Sequence, residues 1–583
     1  MRPGPPRRAS CGQCGPSGRC AMRRRVLGAS IVLAVSALLA GCVSIPSSGG
    51  VNAGAPAIVE ESLELDTIVP GPVSGASQRV ILEGFIDAAA SPRNNYQVAR
   101  EFLTPAFSDE WNGNAGATID VLADREVVPV GETAMVVDAT PAAQLSPTGE
   151  YAISESSAPV ELGYAFEQIN GQWRISQAPQ GLLIDETTFT QAFRSYPLYF
   201  FAPDFEYLVP DLRWFAGRDS AQTSIVRALL GGPAEWLATG VVSAFPEEMR
   251  LDSASVPVAG RVADVDLSGP TDDDPVSVQR MQVQLQESLD SVGTVASVAL
   301  SLNGVEQDVA ELSPVPAKNP PVDPRPVVYD GTTFGYLSSA GEGIEQISDL
   351  SAQVEGLAPT GVALGAGGEA AAVRTAEGVF AVRAGEAAVP LDPRDGLIVP
   401  SIDGAGVVWS VPAENPDQLV VFPTDGSVDS VQLPVPWSGS SIAALEISRD
   451  STRLIALLGD GASTRFVAAS IQRDAAGTPI ALSPVTLGLA DTEGTPVDVT
   501  WLDARTVASL TALPGGGTRV ITQELGGIAD PRPGPEGGIA IDGGNSVRDI
   551  RVLTTAGEVD APSGVAWQAR ASGIRLMASQ QPD

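Results

Sequence analysis

The chain has 583 residues, of which 35 are Lys or Arg and 70 are Asp or Glu, and it contains four Cys and no His. Without His, imidazole-dependent catalytic triads and dyads, imidazole zinc sites and histidine acid–base chemistry are excluded. The length predicts three or four domains, because a single hydrophobic core does not grow to this size.

The N-terminal segment has the three parts of a secretory signal peptide. Arginines at 23–25 form a cationic start, and the apolar run at 26–40 is shorter than the roughly 20 residues that a spanning helix needs. The run closes on the tetrad of bacterial lipoproteins, Leu39, Ala40, Gly41 and Cys42. We therefore interpret residues 1–41 as a signal peptide cut between Gly41 and Cys42, with Cys42 as the lipidated residue. A Cys that merely ends an ordinary signal peptide is the alternative interpretation.

The basic, Pro- and Gly-rich residues before Met22 do not fit such a signal, so we expect translation to begin at Met22. Cys11, Cys14 and Cys20 all precede Cys42, which leaves the mature chain one thiol and no internal disulfide. The Cys11–Cys14 pair has no second pair and no His, so neither a zinc nor a redox site is predicted there. No metal, cofactor or catalytic residue is predicted elsewhere.

The mature part is strongly acidic. Residues 1–41 hold seven Arg and no acid, so the remainder carries 35 − 7 = 28 basic and 70 acidic residues, a formal charge of 28 − 70 = −42. Such a surface repels nucleic acid and gains nothing from an anionic membrane. Attachment must then come from acyl chains on Cys42, which predicts a lipid anchor on the outer face of the cytoplasmic membrane.

Residues 42–78 have the Ser-, Gly-, Pro- and Ala-rich composition of a tether. From 79 to 190, two amphipathic helical patterns precede short β-prone runs. The first helical pattern includes Val80, Ile81 and Phe85, and Asn170-Gly171 is a hairpin signal. Helices followed by an antiparallel sheet predict a cone-shaped α+β domain of the NTF2-like type.

Residues 196–312 alternate strands and helices. Short strands are predicted at 208–210 and 213–215, and a helix follows with Asp219 as its N-cap and a stop at Gly231-Gly232-Pro233. A strand at 261–268, a second helix through Met281 and Leu285, and a strand at 295–302 complete a predicted α/β sandwich.

After a Pro-rich linker at 313–326, helical periodicity disappears and short strands separated by turn residues continue to the end. Loose strand–turn–strand repeats at 362–382, 397–422, 442–470 and 497–522 are typical of propeller blades. At 40 to 45 residues a blade, residues 327–583 predict a β-propeller of about six blades.

The order of short motifs along the chain resembles the LpqB family of actinobacterial lipoproteins over essentially the whole mature part. The motifs after the lipobox are 45–48 (IPSS), 99–103 (AREFL) with Trp111, 208–210 (LVP) with Arg213, 229–233 (LLGGP), 245–246 (FP) and 265–268 (VDLS). The resemblance implies that the middle domain is similar to GerMN and that the terminal domain is a propeller. It also implies an accessory, non-enzymatic role at the extracytoplasmic domain of the MtrB sensor kinase, within a two-component system that governs cell-wall homeostasis and division.

Several residues could in principle form sites, but structural roles explain them better. Asp272, Asp273 and Asp274 directly precede a helix, where capping is favoured over a cation site. Asp264 and Asp266 fit a solvated strand face. The other candidates are three tryptophans, interpreted as core rather than as a sugar-stacking funnel, and two glycine runs, interpreted as turns: Trp409, Trp501, Trp567, 365–368 and 515–517.

Two other functions remain open beside the kinase partner. One is binding of peptidoglycan or another envelope glycan by the middle domain or the propeller funnel. The other, more distant, is a propeller hydrolase or lactonase, which usually needs a metal cluster or His at the funnel.

Overall fold

The structure is a computed structural model, and it describes residues 70–154, 156–217, 221–271, 274–339, 343–424, 430–460 and 463–582. The predicted signal peptide, the lipobox at 39–42, the tether up to residue 69, Asp219, Asp272 and Asp273 lie outside the described residues. Across these ranges, no helix combines the length and the apolar character that crossing a membrane requires.

The N-terminal domain packs helices against two four-stranded sheets. Its helices are α1 (Gln78–Ala89), α2 (Arg93–Arg100), α3 (Pro105–Glu110) and α4 (Glu186–Ala192), with a 3₁₀ turn at Leu122–Asp124. Its strands are β1 (Ala117–Asp120), β2 (Glu126–Pro129), β3 (Ala134–Ala139), β4 (Pro141–Leu145), β5 (Tyr151–Ile153), β6 (Val160–Ile169), β7 (Gln172–Gln177) and β8 (Leu182–Asp185). The sheets have the orders β2-β3-β6-β7 and β5-β4-β1-β8.

Local sequence explains where these elements begin and turn. The Ser77 hydroxyl accepts the Val80 N–H at the start of α1, as an N-cap should. Asn170 and Gly171 both have positive φ, 52° and 76°, which confirms the predicted hairpin between β6 and β7. In α1, Ile81 and Phe85 are buried as predicted, but Val80 is 50% exposed and does not belong to the core face.

The middle domain begins with a two-stranded antiparallel ribbon and continues as a sheet covered by helices. The ribbon is β9 (Phe193–Phe201) and β10 (Leu208–Ala216). The remaining elements are α5 (Ala221–Gly231), β11 (Arg250–Leu251), β12 (Val258–Ala259), β13 (Val262–Ser268), α6 (Pro275–Leu289), β14 (Ser297–Leu302) and β15 (Val305–Glu306). The sheet has the order β11-β13-β14-β15, with β12 also on β13, and β13 runs parallel to β14.

The buried face of β13 matches the predicted alternation, because Ala263, Val265 and Leu267 are all fully buried. The two short strands predicted at 208–210 and 213–215 are halves of the single strand β10. Asp211 interrupts the apolar pattern between them, yet its buried carboxylate pairs with Arg213 in the same strand, Oδ2 to Nη2 at 2.7 Å. The polar residue that interrupts the apolar pattern therefore belongs to a buried ion pair.

The Pro-rich linker is fixed to the domains on both sides. Toward the middle domain, the Ala317 N–H donates to the Glu206 carbonyl (2.7 Å) and the Leu208 N–H to the Ala317 carbonyl (2.9 Å). Toward the propeller, the Asn545 amide accepts the Val322 N–H and donates to the Val322 carbonyl, both at 2.9 Å. The segment therefore joins the two domains as an ordered part of the fold.

The C-terminal domain consists of four-stranded or larger sheets. A short helix, α7 (Ser351–Gly356), was not predicted, and 3₁₀ turns lie at Ala366–Gly368 and Val547–Asp549. The strands are β16 (Val327–Tyr329), β17 (Phe334–Leu337), β18 (Ile344–Glu345), β19 (Gly361–Leu364), β20 (Ala370–Thr375), β21 (Gly378–Arg383), β22 (Val389–Asp392), β23 (Ser401–Ile402), β24 (Val407–Ser410), β25 (Val420–Pro423), β26 (Val431–Gln432), β27 (Ser441–Ile447), β28 (Arg453–Asp460), β29 (Ser463–Arg473), β30 (Pro479–Leu482), β31 (Leu487–Gly488), β32 (Thr492–Glu493), β33 (Thr495–Trp501), β34 (Thr506–Ala512), β35 (Thr518–Glu524), β36 (Ala529–Pro533), β37 (Gly538–Asp542), β38 (Arg551–Thr554), β39 (Val559–Ser563), β40 (Ala566–Ala571) and β41 (Leu576–Gln580).

These strands form a propeller whose described part has six blades. The last strand, β41, pairs antiparallel with β16, so the first blade is β41-β16-β17-β18. The other blades begin at β19, β23, β27, β33 and β37. The six innermost strands contact one another in cyclic order, and β37 returns to β41. The C-terminus thus ties the ring together, in agreement with the predicted propeller of about six blades.

Candidate functional site

The innermost strands of the blades surround an axial cavity of about 450 Å³. Its mouth lies where these strands begin, and it carries Val399 and Ile539, which are 41% and 46% exposed. Arg374 and Arg575 also line the cavity. The channel is large enough to take a small ligand.

Three carboxyl groups from consecutive blades line this channel: Glu446, Asp498 and Asp542. Two of them accept a backbone N–H from the inner strand of the next blade. Glu446 Oε2 accepts the Trp501 N–H at 3.1 Å, and Asp498 Oδ2 accepts the Ile541 N–H at 2.9 Å. These side chains therefore join neighbouring blades as well as lining the cavity.

The environment of the channel favours the neutral form of these acids. Burial raises the pKa of Asp498 and of Asp542 from 3.8 to about 7, and the negative charge of Asp498 adds to the shift at Asp542. Burial, followed by the charges of Asp542 and Asp498, raises the pKa of Glu446 well above 4.5. Near neutral pH the channel can hold and exchange protons and can form hydrogen bonds as donor and acceptor.

At the mouth, the Arg374 side chain is held by hydrogen bonds to the backbone. Its guanidinium donates to the Thr360 carbonyl through Nη2 (2.9 Å) and to the Leu397 carbonyl through Nη1 (3.1 Å), which ties together the loops that precede two inner strands. The Arg575 side chain is exposed. Unlike Arg374, its guanidinium donates no hydrogen bond to a backbone carbonyl of the described chain, so it is the arginine side chain at the mouth that a ligand could contact.

The opposite end of the channel meets the linker. Arg449 follows Glu446 in the turn after β27, and its Nη1 donates to Asn545 Oδ1 (3.2 Å) and to the Pro320 carbonyl (3.4 Å). Nη2 of the same side chain donates to the Gly544 carbonyl. One buried arginine thus connects the acidic end of the channel with the inter-domain segment.

A second junction joins all three domains at Trp214, on β10. Its ring packs against Tyr151 and Phe189 of the N-terminal domain, with centroids 6.0 Å and 5.1 Å away. Its indole Nε1–H donates to the Gly526 carbonyl of the propeller at 2.9 Å. Because the same residue belongs to the middle domain, one side chain contacts the other two.

A close approach of the two backbones at Gly240 also joins the middle domain to the propeller. A Cβ placed on Gly240 would lie 2.8 Å from Ser470 Cβ and 2.9 Å from the Thr452 carbonyl oxygen, so a side chain there would separate the middle domain from the propeller. Beside it, Thr239 Oγ1 and Ser470 Oγ are 2.9 Å apart. The two domains also share one hydrophobic core, which runs from Leu285 to Phe466.

Most of the described residues considered from the sequence have structural roles, but Asp266 does not lie on a solvated face: it is half-buried, and its Oδ1 is buried without a hydrogen-bond partner among the described residues. Asp274 caps α6, with Oδ1 accepting the Val276 N–H at 3.0 Å, and Asp264 is exposed on a strand face. Trp409 and Trp501 are 1% and 2% exposed, and none of the three tryptophans lines the channel. In the described chain, no group of three or more His, Cys, Asp or Glu is placed to hold a metal ion.

The sequence motifs do not point to Glu446, Asp498 or Asp542. Each is an isolated acid with an apolar residue directly before it in an inner strand, and the first two also have one directly after. That pattern, repeated in three blades, is the signal that could have found them. It was missed because an acid in an alternating strand is usually on the solvated face.

Comparisons with known proteins follow the same three-part division. The profile described as "Lipoprotein LpqB, N-terminal domain" matches residues 71–190. The profile "Sporulation and spore germination" matches residues 197–308, and "Lipoprotein LpqB beta-propeller domain" matches residues 335–575. The fold therefore defines a multidomain lipoprotein with an α+β domain, a GerMN domain and a propeller.

The chain belongs to the family of lipoproteins named LpqB. It is 31% identical to Lipoprotein LpqB of Rhodococcus opacus (strain B4) over 261 residues, which are 43% of this chain and 42% of the relative. It is 26% identical to that of Mycobacterium paratuberculosis over 512 residues, 80% of this chain and 83% of the relative. The match thus spans less than half the length of the Rhodococcus relative.

Solved structures show more distant similarity. TolB from Acinetobacter baumannii is 11% identical with a TM-score of 0.29, covering 43% of this chain and 61% of that chain. A nidogen/laminin complex chain has the same identity and TM-score, covering 41% of this chain and 87% of that chain.

Proposed function

We propose that this protein is a non-catalytic lipoprotein, anchored by Cys42 to the outer face of the cytoplasmic membrane, that binds the extracytoplasmic domain of an MtrB-like sensor histidine kinase. Binding modulates the two-component system that controls cell-wall homeostasis and cell division. Family membership supports the lipoprotein part of this proposal. The kinase partner rests on what the family resemblance implies.

The observation that carries the proposal is the joining of three domains at Trp214 and along the fixed linker. A regulator that acts by contact must transmit a structural change from one surface to another. Domains that move independently of each other would not transmit this change. Here the middle domain is bonded to both of its neighbours, and it shares a hydrophobic core with the propeller. A contact made on one domain therefore constrains the position of the others.

Depletion in the native bacterium tests the function. We expect the phosphorylation of the cognate response regulator to change and septation or wall integrity to be disturbed, with recovery on expression of the wild-type chain. Recovery by alanine variants of single exposed acids, such as Asp264→Ala, is also expected. Unchanged phosphorylation after depletion would reject the kinase role.

The axial channel favours envelope glycan binding as a second candidate function. Its carboxyl groups can accept and donate hydrogen bonds to hydroxyl groups, although no aromatic ring lines it in the described chain. Sedimentation with purified peptidoglycan separates the two functions. Retention of the wild-type chain, lost in an Asp542→Leu variant that still folds, would favour the glycan.

A further inference from the structure

One sheet face of the N-terminal domain is left without a covering element in the described chain. Along β3 and β6, one set of side chains points into the core, and Val137, Tyr164 and Phe166 of this set are buried. The alternate set points outward. We call the outward-facing residues of β2, β3 and β6, with Val130, the outer sheet face; its members are Glu126, Val128, Val130, Ala134, Val136, Asp138, Glu161, Gly163 and Ala165, all exposed or half-buried.

Three acids stand in one cross-strand row at one end of this face. Glu126 is opposite Asp138, and Asp138 is opposite Glu161. Opposed Cβ atoms in such pairs lie roughly 5 Å apart, and like charges so placed are destabilising. None of the three carboxylates has a hydrogen bond or an ion pair with another described residue. The adjacent Arg125 is turned inward, where its Nη2 lies 2.6 Å from Asp120 Oδ1.

Beside the acidic row, the outer sheet face is smooth and apolar. Val128 is opposite Val136, which is opposite Gly163, and the Val130 N–H donates to the Ala134 carbonyl in the next row. Val128 and Val130 are 41% and 53% exposed. Small and β-branched residues on an exposed sheet face give a surface that a partner can cover closely, and an acidic margin favours basic groups on that partner.

We propose that the outer sheet face docks the extracytoplasmic domain of a membrane protein that presents basic residues beside an apolar patch. The proposal rests on the proposed function, in which that protein is the sensor kinase. A row of like charges with no internal partner lowers the stability of the domain, and an external basic partner would offset this cost. Charge complementarity therefore points to the kind of surface that covers the face.

The length of chain before the described residues supports a partner in the membrane. Between Cys42 and Pro70 there are 70 − 42 = 28 residue steps. Even a fully extended chain of that length spans at most roughly 100 Å. The N-terminal domain is the first domain of the described chain after the predicted anchor, and this chain length keeps it within reach of the extracytoplasmic part of a neighbouring membrane protein.

The test measures binding of the kinase extracytoplasmic domain to the full lipidated chain in lipid nanodiscs. The variants are the triple substitution Glu126→Gln, Asp138→Asn, Glu161→Gln, and the single substitution Val128→Asp. The control is Val565→Asp, because Val565 is fully exposed in the turn between β39 and β40 of the propeller. We expect the triple variant to weaken binding roughly tenfold or more at low salt and less at high salt, since exposed charges are screened.

Stability gives a second readout that moves in the opposite direction. Removing three opposed like charges should leave the melting temperature unchanged or raise it. A triple variant that melts lower and binds less would make the row a structural feature and would overturn the proposal.

Each remaining outcome is decisive. Wild-type binding that all variants share rejects the docking surface and leaves the proposed function standing. Absence of binding by the wild-type chain rejects the proposed function and this surface with it. Self-association of the wild-type chain without the kinase, lost in Val128→Asp, would assign the face to a second copy instead.

Discussion

Three carboxyl groups line the axial channel, and each costs free energy when it is ionised in the folded state. For Asp542 the folded pKa is about 7, above the unfolded value of 3.8. The folded state therefore binds more protons than the unfolded state between these values, so this group makes stability fall as pH rises from about 4 to about 7. Below about pH 4 this carboxyl is protonated in both the folded and the unfolded state, so its contribution to stability no longer changes with pH.

The variant Asp542→Asn tests whether this carboxyl makes stability fall as pH rises. The variant should lose less stability than the wild type between pH 5 and pH 8, by about 1 kcal/mol or more, since one pKa unit corresponds to about 1.4 kcal/mol. Urea denaturation at the two pH values measures the difference. Asp264→Asn, on the exposed strand face, is the control, and equal pH slopes for Asp542→Asn and the wild type would contradict the assignment.

At the scale of elements, polar turns fix the hairpins of the blades. The turn between β27 and β28 is built on Asp450, whose Oδ1 accepts the Ser448 hydroxyl (2.7 Å) and the Thr452 N–H (3.0 Å). The same carboxylate pairs with Arg453, which is fully buried. A comparable turn at Asp330 accepts the N–H groups of Thr332 and Thr333 but has no buried arginine beside it.

The two turns make a matched pair of substitutions. Asp450→Ala leaves the buried guanidinium of Arg453 without its carboxylate and should cost about 3 to 5 kcal/mol in the free energy of unfolding. Asp330→Ala removes an exposed turn acceptor and should cost about 1 kcal/mol. Chemical denaturation of both variants checks the difference, and equal losses would show that the Arg453 pair adds nothing.

The last strand, β41, has a role that its position in the sequence hides. Leu576, Met577 and Ala578 are buried, and the strand pairs with β16 at the other end of the domain. A chain ending at residue 575 should lose the closure of the ring, melt at lower temperature and be cut faster by protease in the first blade. A chain lacking only Asp583 is the control, and identical proteolysis of the two would contradict closure by β41.

At the scale of the whole molecule, the anchor and the folded domains are separate predictions. Cys42→Ser should abolish lipidation and give a soluble or unprocessed protein, which fractionation of membranes measures. Ser47→Ala, in the predicted tether after Cys42, should leave anchoring unchanged. Continued membrane association of a cleaved Cys42→Ser chain would reject the lipid anchor.

Local patterns in the sequence predict most of the elements and their order, because alternation, helical spacing and turn residues act over a few neighbours. The Asn170-Gly171 hairpin, the buried face of β13 and the repeating blades followed from it. Features that depend on distant residues appear only in the folded structure. The two predicted halves of β10 form one strand because it pairs with β9 along its whole length, from Leu208 to Ala216.

The candidate site depended on tertiary structure even more. Within any one strand, Glu446, Asp498 and Asp542 look like acids on a solvated face, and only their repetition in three blades sets them apart. Their raised pKa values arise from burial around a channel that six blades build together. The outer sheet face likewise exists only through the register of β2, β3 and β6, which aligns Glu126, Asp138 and Glu161. Local pattern fixes what each strand can be, and long-range pairing and burial fix which of its side chains meet.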